Sequence, residues 1–156
     1  MDSPLLAAAR ARLPEALHLL LFGTPPAPSE EQLRRERLSR RLVGAMRDLA
    51  PKDVRDLVSR NADIGFRSNQ GWTPLIAAAF WQRKDCVECL TKTPQIRPTL
   101  DARDSRGRAA LHVAARKEEV GVVAALVAAR AEVNSQDMDG WTPLHHAASN
   151  SRSEAV

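Results

Sequence analysis

Cys86-Val87-Glu88-Cys89 is the stretch whose residue types and spacing most directly permit chemistry. A C-x-x-C pair can supply half of a metal site or cycle as a dithiol. Neither use is expected, because the chain carries no second cysteine pair to complete a thiolate site. The histidines, His18, His112, His145 and His146, include no pair at metal-ligand spacing. Neither a Ser-His-Asp arrangement nor a catalytic Cys-His pair can be placed, Ser105 and Ser135 read as loop residues, and no glycine-rich phosphate loop occurs. The segment is therefore expected to hold no catalytic residue, no metal and no cofactor, and not to be an enzyme.

The most basic run, Arg34 to Arg41, offers a nuclear import signal or a patch for an acidic partner. A solvated helix face, with Glu30 and Glu31 four residues ahead of Arg34 and Arg35, fits its composition better. A net charge of +4 from 23 basic and 19 acidic residues is not the concentrated stripe of a nucleic-acid binder, so that partner is disfavoured. No apolar run approaches the roughly 18 residues of a membrane-spanning helix, and no membrane partner is expected. Two cysteines cannot scaffold a secreted domain, which points to a cytoplasmic or nuclear setting. The Ala- and Arg-rich start matches a secretory signal poorly and leaves an organellar-targeting reading open.

What positions these residues is a repeat. Ser68 to Ala79 reads SNQGWTPLIAAA, Asp104 to Ala115 reads DSRGRAALHVAA and Asp137 to Ala148 reads DMDGWTPLHHAA. Gly71, Gly107 and Gly140 fall at steps of 36 and 33, the longer step holding a three-residue insertion within Thr93 to Thr99, beside Pro94 and Pro98. A decayed copy lies 33 residues earlier, with Leu42-Val43-Gly44-Ala45-Met46 under Leu75 to Ala79. Self-similarity at this period means stacked units, each too small to cover its own apolar face. Thr142 can cap a helix that Pro143 opens, and the small Ala147 and Ala148 let a neighbouring helix approach closely. Val120, Val122, Val123, Leu126 and Val127 form the apolar set of a second helix. Glycine at 140 suits a positive φ, Asn61 tolerates the same conformation at a second kind of turn, and Arg130 fits it less well.

The 33-residue period and Thr142-Pro143-Leu144-His145 resemble the ankyrin repeat family, over residues 38 to 156. The resemblance implies an all-α solenoid of helix-turn-helix units joined by β-hairpin-like loops, a monomeric array. Its units are expected at 38–70 (degenerate), 71–106, 107–139 and 140–156. The last stops inside its second helix, which reads as a fragment of a longer protein. The unit at 107 has Ala109-Ala110 in place of Thr-Pro and should lack about 1 kcal/mol of cap. The unit at 71 has Ile76 where the signature has histidine. In this register Cys86 and Cys89 align with Val122 and Ala125 as buried small residues. His112 and His145 take the position where the family's histidine makes structural hydrogen bonds, and His18 and His146 are isolated. Asn134, eight residues after Leu126, resembles the asparagines that oxygenases hydroxylate in such repeats.

Upstream, residues 1–23 carry an apolar face broken by Pro14 and fit two short helices, a degenerate cap on the array. Residues 24–29 are a Pro-rich linker, and a capping box at Ser29-Glu30-Glu31-Gln32 starts a long basic helix, 30–37 and onward to about Asp48.

Ankyrin arrays bind proteins with their hairpin tips and the exposed side of their first helices. Carried over by position, the tips offer Asn69, Gln70 and Trp72, then Ser105, Arg106 and Arg108, then Met138, Asp139 and Trp141, with Arg67, Arg103 and Gln136 beside them. The helices offer Phe80 and Trp81, Arg116 and Lys117, and His146, with Ser149 and Asn150. Of these, Trp, Phe, Met and Arg are the types enriched in protein interfaces, and all three tryptophans of the chain fall among them. The expected role is a non-catalytic adaptor or scaffold for another protein. The alternative is the regulatory portion of a larger enzyme or channel.

Overall fold

The structure is a computed structural model that describes residues 27–117 and 119–153, the last three as backbone. The expected helices of residues 1–23, the first half of the linker and the apolar Ala155-Val156 lie outside the described residues. The chain divides into two compact units, residues 1–33 and 34–156. In the first, Ser29 Oγ accepts the Gln32 N–H at 3.2 Å and Gln32 Oε1 accepts the Ser29 N–H at 2.8 Å, the reciprocal capping box that opens helix α1 (Glu30–Gly44).

Helix α1 ends at Gly44 rather than near Asp48, because Met46 and Leu49 turn into the core and Pro51 starts α2 (Pro51–Ser59). Among the described residues, the ion pairs along α1 in the second unit are Arg40 with Glu36 and Arg35 with Asp63. Helices α3 (Pro74–Phe80), α5 (Ala110–Arg116) and α7 (Pro143–Ser153) make one row, each packed on the next. Helices α2, α4 (Lys84–Thr91) and α6 (Val120–Ala128) make the second. The insertion folds into a 3-10 helix, Pro94–Thr99, that tucks Ile96 into the core. Among the described residues there is no strand.

The core explains the small residues. Ala77, Ala78, Ala110 and Ala114 are fully buried between adjacent first helices, with Leu42, Leu75, Ile76, Cys86, Val87, Leu90, Val122 and Leu126 filling the space between rows. Thr73 Oγ1 accepts the Ile76 N–H at 3.3 Å. Ala109 has no cap side chain, and its own N–H is instead accepted by His112 Nδ1 at 3.2 Å. The helix-to-helix turns use residues in the left-handed region, Asn61, Gln82 and Arg130 at φ 68°, 55° and 68°. At each, the next residue's N–H reaches back to the third-last helical carbonyl, as in Ala62 to Leu57, Arg83 to Ala78 and Ala131 to Leu126.

Candidate protein-binding face

The tips are built by one local device. In the tight turn from Asp104 to Arg108 the Asp104 carboxylate accepts the N–H groups of Arg106 and Arg108, each at 2.9 Å, and Asp137 does the same for Asp139 and Trp141. Ser68 Oγ takes that role for Gln70 and Trp72. Gly71, Gly107 and Gly140 close the turns at φ 74°, 74° and 77°. Successive tips then join through single backbone hydrogen bonds, Ser105 N–H to Gln70 C=O at 3.2 Å and Met138 N–H to Arg106 C=O at 3.1 Å. The tips therefore form one row, as the fixed period requires.

This row presents Asn69, Gln70, Ser105, Arg106, Met138 and Asp139 to solvent, Met138 at 76% exposure. Arg67 and Arg103 are occupied differently. The guanidinium of each donates to a backbone carbonyl of the following tip, Arg67 to Arg103 and Arg103 to Gln136, so they fasten neighbouring units. Arg108 is also spent internally: its Nε and Nη2 contact Asp104 Oδ2 at 3.1 and 2.8 Å, with the two side chains 15% and 1% exposed.

The aromatic residues divide in the same way. Trp72 is half-buried, packed on the core and 4.8 Å from the Phe80 ring. Phe80 also lies against Trp81 at 5.0 Å and carries the Lys117 ammonium 4.6 Å from its centroid. Trp81 and Trp141 remain 40% exposed. Arg47 sits 5.1 Å from the centroid of Trp81, an element of this face that no repeat pattern reveals because the two lie in different units. Gln82 Nε2 holds the Lys117 carbonyl at 3.2 Å.

Histidines 112 and 146 lie behind the last tip. Since His112 Nδ1 accepts from Ala109, its proton sits on Nε2, which donates to the Trp141 carbonyl at 3.1 Å. Burial pushes its pKa below the ordinary value, and the hydrogen bond to Trp141 only partly opposes this. His146 is not isolated: Nε2 donates to Asp137 Oδ2 at 2.7 Å, and its side chain is mostly covered. Burial acts to raise the Asp137 pKa, but hydrogen bonds from His146, Trp141 and Asp139 outweigh it and hold the carboxyl below the usual range. His145 Nδ1 bonds the N–H and hydroxyl of Thr142.

Between the tips and the first helices runs a groove of about 610 Å³ lined by Arg106, Arg116, Trp141, His146 and Asn150, among others. It shares Arg108, Arg116 and Asn150 with a second groove of about 340 Å³ that reaches Phe80, Val113 and Lys117. Cys86 is buried and Cys89 half-buried, both as free thiols facing the Leu49 and Pro51 carbonyls at 3.6 and 3.8 Å. Burial raises the pKa of each. Among the described residues no group of three or more His, Cys, Asp and Glu side chains is placed to hold a metal, and no helix is long and apolar enough to cross a membrane.

Inversin of Gallus gallus is 33% identical over 90 residues, covering 57% of this chain and 8% of inversin. Ankyrin repeat and SOCS box protein 3 of Homo sapiens is 27% identical over 100 residues, 64% of this chain and 19% of that protein. Protein phosphatase 1 regulatory subunit 12A of Mus musculus is 51% identical over 49 residues, 31% of this chain and 5% of that protein. The chain thus spans less than a fifth of each of these relatives. The family model for ankyrin repeats matches residues 44–137 and 100–156, which takes in every tip and both helix rows from α2 onward. With the repeat geometry described above, this shows that the chain belongs to the ankyrin repeat family.

Proposed function

We propose that this chain is a non-catalytic interaction module, an adaptor or scaffold segment, that binds another protein along its tips and first helices. The observation that carries the reading is the gathering on that face of exposed Trp81, Trp141 and Met138 with exposed Arg106, Arg116 and Lys117. Aromatic, methionine and arginine side chains supply most of the anchors in protein interfaces. Trp72, Arg108 and His146 support the face from behind, being tied to the core, Asp104 and Asp137 respectively. Free thiols at Cys86 and Cys89 fit a cytoplasmic or nuclear setting.

The test is capture of a partner by the wild-type chain and by Trp81→Ala with Trp141→Ala. Anchors of this kind cost about 2 kcal/mol or more each, so affinity should fall at least about tenfold with helicity unchanged. Ala128→Glu, on an exposed position of α6, should bind normally. Full binding by the tryptophan variant, with loss on substituting Arg34 to Arg41, would move the site to α1. A second reading, the regulatory portion of a larger enzyme, is favoured by the likeness to a protein named as a phosphatase regulatory subunit.

A further inference from the structure

We propose that the groove between the last two tips and helices α5 and α7 takes an acidic linear peptide segment carrying an apolar side chain. This rests on the interaction role proposed above and adds the chemistry of the partner. The nearby aspartates set up the charge balance. Asp104 is consumed by two backbone N–H groups and the Arg108 guanidinium, and Asp137 by two N–H groups and His146. Both are buried, and Asp104 neutralises Arg108 alone among the groove's cations, so neither carboxylate pairs with Arg106, Arg116 or Lys117. Among the described residues, Arg106, Arg116 and Lys117 are all exposed and make no ion pair with a carboxylate.

Their placement is asymmetric. Lys117 is held over Phe80 at 4.6 Å, and its carbonyl is fixed by Gln82. Arg116 is common to both parts of the groove. Asp139 is exposed at the opposite, tip end. An occupant's carboxylates are thus drawn to the Arg116–Lys117 end, whose lining holds no carboxylate, more than to the tip end, where Asp139 offsets Arg106. Phe80 and Trp141 offer the apolar contact that an acidic segment with one hydrophobic residue would use. A nucleic acid needs a continuous cationic track for its phosphates, and Asp139 interrupts this one.

The experiment is selection of random dodecapeptides on the intact chain, followed by fluorescence anisotropy of one labelled selected peptide and of its counterpart with every Glu and Asp changed to Gln and Asn. The selected peptides should be rich in Asp and Glu around an apolar residue, and the amide counterpart should bind about tenfold more weakly or worse. Arg116→Glu with Lys117→Glu should abolish binding and Arg116→Gln with Lys117→Gln should weaken it, each with unchanged circular dichroism. Arg34→Glu with Arg37→Glu, on α1, should leave it intact. Selection of neutral or basic peptides, or binding indifferent to the charge reversal at 116 and 117, would overturn the acidic assignment while leaving the interaction role standing. Selection of no peptide would overturn a linear-segment partner and leave the tryptophan-variant capture to judge the role by itself. Tighter binding of an oligothymidylate, falling steeply with salt, would assign the groove to nucleic acid instead.

Discussion

Alanine substitution at the three tip glycines separates two reasons for glycine that coincide in the sequence. All three lie at positive φ, and holding an alanine there costs about 1–2 kcal/mol. Alanine also lowers the entropy of the unfolded chain, which offsets about 0.4–1 kcal/mol. At Gly140 nothing lies within 4 Å of an added Cβ, so Gly140→Ala should cost about 1 kcal/mol in total. At Gly107 the new Cβ would meet Met138 N at 2.9 Å, and at Gly71 it would meet Ser105 N at 2.8 Å. Those nitrogens are the donors of the tip-to-tip hydrogen bonds, and they cannot retreat without lengthening bonds of 3.1 and 3.2 Å. Overpacking of this kind adds about 1–3 kcal/mol, so Gly71→Ala and Gly107→Ala should each lose about 2–4 kcal/mol. Urea denaturation followed by far-UV circular dichroism gives the three values, and Trp141 fluorescence follows the Gly140 turn directly. Equal losses at all three positions would refute close tip approach as the second reason for glycine.

Arg130→Gly should raise stability by about 1 kcal/mol, since Arg130 holds φ 68° at the turn after α6, read as an increase in the urea midpoint. Stability should fall as pH drops below about 6.5, because burial depresses the His112 pKa in the folded chain and the unfolded chain takes up the proton first; His112→Ile should remove that slope in urea titrations at successive pH values. A second loss should follow below about pH 4, as protonation reaches Asp137, whose folded pKa lies under its ordinary value, so its contribution is present above that value and disappears with acid. Cys86 should react with an alkylating reagent far more slowly in the native state than in denaturant, as burial both covers the thiol and disfavours thiolate, and a chelator should leave Tm unchanged.

The repeat made most of the fold legible. Gly71, Gly107 and Gly140 mark the tips, Thr73-Pro74 and Thr142-Pro143 open first helices, and Asn61 and Arg130 stand where the chain turns left-handed. Gln82, the third residue in that conformation, carries no compositional mark, since glutamine is not a usual left-handed residue. The early end of α1 was hidden because Met46 and Leu49 continue an apolar pattern that a longer helix would also satisfy. The candidate face was legible by position but not by role. Whether an exposed-looking arginine is free depends on partners that periodicity does not encode. Arg108 finds Asp104 within its own turn, Arg103 finds a carbonyl one unit away, and Arg106 between them finds neither. Likewise Trp72 and Trp141 share an offset, yet Phe80 faces the first, and the imidazoles of His145 and His146 face the second.

Leu144 shows how much position within the array decides. The leucines at the same offset, Leu75 and Leu111, are buried, whereas Leu144 is 77% exposed beside Val120, Val127 and Val133 on an apolar groove of about 540 Å³. In the earlier units the first helix packs against the second helix of its own unit, α3 on α4 and α5 on α6.

Amide chemical-shift mapping of the 15N-labelled chain, on titration with a bound partner or selected peptide, locates the binding face residue by residue. Shifts are expected at Gln70, Ser105, Arg106 and Met138 along the tips and at Trp81, Arg116 and Lys117 on the first helices. Amides on the exposed sides of α2, α4 and α6 should stay in place. Shifts confined to those second helices, or to Arg34 through Arg41 of α1, would contradict binding along the tips and first helices.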